Sequence, residues 1–280
     1  MKCAWQAYLN LLPHWMRQEV DEYGRQDLQE LHIRIGICPI MQLGSQCHKL
    51  KRIATGEDIS FVINAASRYS PWTASTLAKG YLTGAGGHRI GVCGVATVSD
   101  KMQGISIPTS LCVRVARDFE GISGTAVTVP DSLLIIGPPG SGKTTLLRDL
   151  IRGKSNMGQG NIAVVDEREE LFPLHKGQAC FFAGEHTDIL SGCKKAEGIV
   201  AVQRSMNPCW IAVDEITEES DCEALLQAGW CGVNLMATAH AGSLQDFLTR
   251  PVYKPLVACK LFSTVLVLRK DKSWKLERMR

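Results

Sequence analysis

The chain has 280 residues, 45% apolar and 21% charged, with no low-complexity tract; this excludes a disordered polymer and supplies enough apolar side chain for one large or two modest cores. Its net charge of +3 comes from scattered basic residues, densest in the C-terminal LRKDKSWKLERMR, and without a long Lys/Arg run beside aromatics it gives little support to nucleic-acid binding. Eleven cysteines with no secretory leader, CxxC pair or metal-type Cys/His spacing point to reduced cytosolic thiols rather than zinc or disulfides, and no apolar run approaches the ~18 residues of a spanning helix, so any membrane role is peripheral.

The first apolar segment, CAWQAYLNLLPHWM, reads either as a membrane-surface helix or as a cap on a core, and the interruption at Pro13 favours the core. ELHIRIGI then alternates Leu31, Ile33 and Ile35 against His32 and Arg34, the period-two pattern of a half-buried strand, which Pro39 ends. Thr55 and Asp58 open an amphipathic helix with Ile59, Val62, Ile63 and Ala66 on one face. YLTGAGGHRIGVCGV follows as a glycine-rich strand-turn-strand unit, and SLCVRVA as a second alternating strand. Gly121, Ser123 and Gly124 mark the expected boundary, giving an α+β domain over 1–122 and a second domain over 123–280.

Beyond that boundary strands and helices alternate as a parallel sheet requires: LLIIG, the SGKTTLLRDLIRG helix, NIAVV, the KAEGIVAVQRS helix, WIAV, the SDCEALLQAGW helix with Ser220 and Glu223 as a capping box, and VNLMATA. TVLVLRKDKSWKLERM closes the chain as a hairpin.

At the first strand-to-helix junction, Gly137, Pro138, Pro139, Gly140, Ser141, Gly142, Lys143 and Thr144 match the phosphate-loop pattern, with Thr145 continuing into the helix. Glycines at 137, 140 and 142 let successive N–H groups face an anion, and the helix N-terminus adds its positive dipole end. Lys143 is expected to reach the β- and γ-phosphates of ATP, and Thr144 to ligate Mg2+.

Hydrolysis also needs acids, and two Asp-Glu pairs end apolar strands: Asp166-Glu167 in AVVDEREEL and Asp214-Glu215 in WIAVDEITEE. The second has the Walker B form, with Asp214 accepting Mg2+-bound water and Glu215 polarising the attacking water. The first can form an auxiliary acidic wall, and either pair can instead cap a helix. His240, on the tip of MATAH, lies where such sheets bind ligands. DILSGCKKAEG resembles a transporter LSGGQ signature but lacks its second Gly and its Gln.

The combination of GPPGSGKTT, VVDEREEL, RSMNPCWIAVDEI and MATAHAGS resembles the type II and type IV secretion (traffic) ATPase family. ELHIRIG, GAGGHRIGVCG, DILSGCKKAEG and DEITEESDCEALLQAG further fall in the order of its sporulation branch from endospore-forming bacteria. The resemblance implies a RecA-like P-loop ATPase domain behind a smaller α+β domain, assembled as a homo-oligomeric ring, a hexamer, with ATP between subunits. It places Asp166, Glu167 and Glu170 in the family's Asp box, Asp214 and Glu215 in Walker B and His240 in its His box. Two departures stand out: Asp166-Glu167-Arg168 replaces Glu-Asp-Pro, and Asp214 replaces the Gly before the Walker B Glu. Ring ATPases of this kind draw positive charge to the γ-phosphate from a neighbouring domain, for which Arg89 and Arg114, and more remotely Arg204, are the choices. The resemblance further implies a peripheral site on the mother-cell face of the forespore membrane. There the ring would dock on a membrane protein of the sporulation stage III complex, such as stage III sporulation protein AB, and energise a secretion-like channel. A RecA-like nucleic-acid translocase and a nucleotide-gated, non-hydrolysing scaffold are the alternatives; DNA-stimulated turnover marks the first and absent turnover the second.

Overall fold

Pro13 lacks the N–H that would extend a helix, and the N-terminal apolar run is split there into α1 (Trp5–Leu11) and α2 (His14–Gly24). This computed structural model describes residues 1–67, 80–98, 102–158, 160–175 and 177–279. The chain divides into two compact units, Met1–Asp118 with Leu174–Phe181, and Phe119–Pro173 with Phe182–Arg280.

In the first unit, α1 and α2 are followed by β1 (Leu28–Arg34), β2 (Ile40–Leu43), β3 (Gln46–Lys49), α3 (Gly56–Ser67), β4 (Tyr81–Thr83), β5 (Arg89–Val98) and β6 (Met102–Arg114). The strands form one antiparallel sheet in the order β3-β2-β1-β6-β5-β4. Leu31 and Ile33 turn to the core side with Tyr8, Leu12, Met16 and Val62, so the apolar N-terminal run caps a core. Glu30, His32 and Arg34 take the other face, as period-two alternation requires. The Thr55/Asp58 box forms as expected: Asp58 accepts the Thr55 N–H at 2.9 Å, while Thr55 Oγ1 accepts the Asp58 N–H at 3.4 Å. The two short strands β2 and β3 were not legible in sequence, because neither IMQL nor QCHK alternates cleanly.

The second unit runs β7 (Leu133–Gly137), α4 (Lys143–Asn156) and β8 (Ile162–Asp166). The antiparallel pair β9 (Leu174–His175) and β10 (Gln178–Ala179) belongs to the first unit. The second unit then resumes with β11 (Thr187–Ser191), α5 (Lys195–Met206), β12 (Trp210–Val213), α6 (Glu219–Trp230), β13 (Asn234–His240), α7 (Leu244–Thr249), α8 (Lys254–Ala258), β14 (Thr264–Leu268) and β15 (Trp274–Arg278). Its sheet has the order β11-β8-β12-β13-β7-β14-β15, and every pairing is parallel except β14 with the closing strand β15. Strands β7, β8, β12 and β14 are buried along their whole length, which explains their unbroken apolar runs. Because β7, β8, β12 and β13 run the same way, the P-loop, Asp166, Asp214 and His240 all emerge at one edge of the sheet.

One sequence reading changes here. Helix α6 begins at Glu219, so its capping box is Glu218 with Asp221 rather than Ser220 with Glu223; Ser220 already lies inside the first turn. The segment DILSGC, whose likeness to a transporter signature the sequence already argues against, contributes to the edge strand β11.

His88 gives the first unit a titrating core group. Its Nδ1 accepts the Ala116 N–H at 3.0 Å, which leaves the proton on Nε2, 3.0 Å from the Ala4 carbonyl. The ring is fully buried, and burial lowers its pKa to about 4, with the Ala4 bond opposing. The folded value lies below the unfolded ~6.5, so this stabilisation is complete above pH 6.5 and drains as pH falls towards 4. Between pH 7 and pH 4, wild-type protein should lose up to about 3 kcal/mol of unfolding free energy that His88→Gln does not lose, measurable by denaturant titration.

Candidate nucleotide site

Strand β7 delivers the P-loop at its tip. A Cβ on Gly137 would sit 2.7 Å from Ser141 Oγ and 3.1 Å from the Leu268 carbonyl, so only glycine fits. Gly140 (φ +73°) and Gly142 (φ +97°) take left-handed conformations that fold the backbone back towards α4. That helix starts at Lys143 with no side-chain cap and no acid in its first turn, leaving its N–H groups directed at the loop. Ser141 Oγ is buried with no partner among the described residues. An uncapped helix start and an orphaned hydroxyl inside a glycine loop are the features a bound phosphate would satisfy.

Lys143 Nζ lies 3.0 Å from the Gly137 carbonyl, 3.1 Å from that of Pro138 and 3.1 Å from His240 Nδ1. Burial pushes its pKa below the usual lysine value, and the carboxylates of Asp214 and Glu215 push it back up. Lysine can only donate, so His240 Nδ1 is the acceptor and its proton sits on Nε2, 3.3 Å from Glu215 Oε1. Lys143 and Glu215 are thereby joined through one imidazole.

Asp214 is held from both sides. Thr144 Oγ1 donates to its Oδ2 at 2.7 Å, and Thr238 Oγ1 donates to its Oδ1 at 2.5 Å. The same Thr238 oxygen accepts the Glu215 N–H at 2.8 Å. Glu215 itself is left-handed (φ +47°), an uncommon state for a residue with a Cβ, costing about 1 kcal/mol. Its Oε2 takes a 3.0 Å bond from Arg168. Thr238 is fully buried inside β13, and sequence reasoning missed it. The signal was a lone hydroxyl within the apolar run NLMATAH, which must find a partner.

The other Asp-Glu pair is employed differently. Asp166, 1% exposed, accepts the backbone N–H groups of Glu170, Leu171 and Phe172 at 2.9, 3.0 and 2.9 Å. Burial raises its pKa to about 6, and the three N–H bonds oppose the rise. Glu167 pairs at 2.6 Å with Lys195, a buried lysine that also lies 3.7 Å from Asp221. Glu170 contributes its carbonyl, which accepts from Arg148 at 2.8 Å. Asp166, Glu167, Arg168, Glu170, Lys195, Asp214 and Glu215 line one narrow cleft.

Of the expected residues, Lys143, Thr144, Asp214, Glu215 and His240 form one connected group. Arg89 and Arg114 lie in the first unit, directly opposed across the β5–β6 ladder. Arg114 Nε is 3.0 Å from Glu30, and the Arg89 guanidinium sits 4.2 Å from the centre of the Tyr81 ring. Arg204, exposed in the last turn of α5, precedes β12 and so stands at the sheet edge away from the P-loop.

The family described as "Sporulation stage III, protein AA" matches residues 6–276. Stage III sporulation protein AA of Bacillus subtilis (strain 168) is 36% identical over 276 residues, covering 94% of this chain and 90% of that one. The uncharacterized protein ycf45 of Cyanidium caldarium is 28% identical, over 60% of this chain and 52% of its own. Among solved structures, the ATPase DotB of Legionella pneumophila has a TM-score of 0.58 at 14% identity, covering 95% of this chain and 80% of its own. The pilus retraction motor PilT, crystallised with bound ADP, has a TM-score of 0.65 at 15% identity, covering 90% and 76%. The fold is that of the RecA-like secretion and pilus ATPases.

Asparagine at position 166 has one acceptor oxygen for three N–H donors and turns an NH2 group towards the rest. Asp166→Asn should therefore lower the unfolding free energy by about 1–3 kcal/mol, read by urea denaturation at neutral pH.

Proposed function

The chain belongs to the sporulation stage III protein AA family, and from that premise we propose that it is a Mg2+-dependent, ATP-hydrolysing ring motor. The observation that carries this reading is the 2.7 Å bond from Thr144 to Asp214, because it ties the phosphate loop to the acid pair at one point. A bare phosphate-binding turn has no need of that tie.

Thr144 Oγ1 and Asp214 are the residues that would hold Mg2+, and the oxygen donor set suits that hard cation. When bound, the ion neutralises charge on the transferring phosphoryl group. Lys143 is positioned to exchange its two loop carbonyls for phosphate oxygens. Doing so would draw its ammonium from His240 Nδ1 and loosen the hold of His240 on Glu215, so phosphate occupancy is reported to the carboxylate that must act next. Glu215 then accepts a hydrogen bond from the attacking water and orients it. Ser141 Oγ, orphaned in the present loop, gains a partner in the phosphate.

Arg89 and Arg114 are the proposed source of further positive charge, given their opposed placement on β5 and β6. In this reading the chain closes a homo-oligomeric ring, a hexamer. It works on the mother-cell face of the forespore membrane, bound to a membrane protein such as stage III sporulation protein AB, and drives assembly of or export through the stage III channel complex. No helix among the described residues is long and apolar enough to cross a membrane.

Purified oligomeric protein should hydrolyse ATP only with Mg2+. Glu215→Gln should lower kcat by about 10² to 10⁴ while leaving MgATP binding intact by calorimetry. Absence of Mg2+-dependent turnover in the assembled protein would overturn the motor; stimulation by DNA would redirect it to nucleic acid.

A further inference from the structure

We propose that Arg168 is the positioning residue for Glu215, and that the acidic turn after β8 exists chiefly to aim it. The proposal rests on the motor reading and adds a residue to its site.

Three residues leave the tip of β8 in sequence, and the turn assigns each a separate task. Asp166 pins the far side of the turn through the N–H groups of Glu170, Leu171 and Phe172. Arg148 of α4 holds the carbonyls of the same stretch, those of Leu171 at 2.5 Å and Glu170 at 2.8 Å. The N–H groups of residues 170–172 and the carbonyls of Glu170 and Leu171 are thus engaged, and Glu169 closes the turn in a left-handed conformation (φ +56°). Glu167 is drawn aside by the buried Lys195. Arg168 alone of the three reaches across to the other acid pair, placing NH1 3.0 Å from Glu215 Oε2.

The backbone of Glu215 is already fixed. Its N–H is bound to Thr238 Oγ1, and the Ile216 N–H to the Thr238 carbonyl at 2.8 Å. What remains free is the direction of the carboxylate, and its two oxygens have different partners, His240 on Oε1 and Arg168 on Oε2. His240 is shared with Lys143, so its hold changes when the lysine moves to phosphate. Among the described residues Arg168 has no such competing partner, and it keeps the carboxylate aimed through that exchange. The Arg168 side chain is 52% exposed, and an ion pair in such a position adds little to stability, so anchoring the fold is a poor account of it. The contact is a single NH1–Oε2 bond rather than a bidentate fork, so the charge and reach of lysine should serve nearly as well.

The test is steady-state and single-turnover ATPase kinetics on the full chain, comparing wild type, Arg168→Ala, Arg168→Lys, Glu215→Gln and the Arg168→Ala/Glu215→Gln double variant. Arg168→Ala should lower kcat about ten- to a hundredfold, with KM for MgATP within about twofold and the melting temperature within about 2 °C of wild type. Arg168→Lys should recover most of the rate. In the Glu215→Gln background, Arg168→Ala should cost nothing further, because it acts through the glutamate. Undiminished kcat in Arg168→Ala, or an equal loss in both backgrounds, would overturn the proposal while Glu215→Gln still marks the protein as a motor. If wild type and Glu215→Gln turn over alike, Glu215 is not the acting carboxylate and the Arg168 proposal falls while ATP hydrolysis stands; if neither turns over, the motor reading itself fails and takes Arg168 with it.

Discussion

The carboxylate of Asp214 is the joint at which the strand tips of the second unit are tied together. One oxygen is tied to Thr144 at the head of the P-loop helix and the other to Thr238 near the tip of β13. Three elements of the sheet edge, α4, β12 and β13, therefore share one anion. Because Thr238 also takes the Glu215 N–H, the bonds that place the Asp214 carboxylate fix the backbone of Glu215 as well. The uncommon backbone at Glu215 is tolerable for this reason: a left-handed residue held by its own N–H and by that of Ile216 has no cheaper state to relax into.

The two Asp-Glu pairs look alike in sequence and differ in what surrounds their first carboxylate. Asp166 is sealed from solvent and met by backbone N–H groups, which suits a turn organiser. Asp214 is only partly buried and is met by hydroxyls, groups that can turn away and leave a lone pair for a cation or its water. The departure from Glu-Asp-Pro at Asp166-Glu167-Arg168 then acquires a physical sense. A proline at 168 would have no guanidinium to offer, and the arginine supplies one across to Glu215.

Much of this was readable from residues alone. The strand-loop-helix over residues 133–156 was legible because the apolar run, the glycine spacing and the helix that follows agree on one local structure. The buried strands of the second unit were legible as apolar runs, and α3 through its Thr55/Asp58 box. What escaped depends on pairing across distance. Lys195 looks like any surface lysine at a helix start until two carboxylates from separate turns are found around it. Strand β11 was hidden in a polar segment because an edge strand needs only one neighbour and tolerates half-exposed positions. The β9–β10 pair lies within the second half of the sequence yet groups with the first unit, and no local periodicity encodes that.

The assignment of roles to the two acid pairs is tested most directly by an experimental structure of the oligomer bound to Mg2+ and a non-hydrolysable ATP analogue. The account predicts Mg2+ beside Thr144 and Asp214, with Glu215 facing the γ-phosphate. It also predicts that Asp166 stays bonded to the N–H groups of Glu170, Leu171 and Phe172. Mg2+ held by Asp166 or Glu167, with Asp214 turned away, would contradict it.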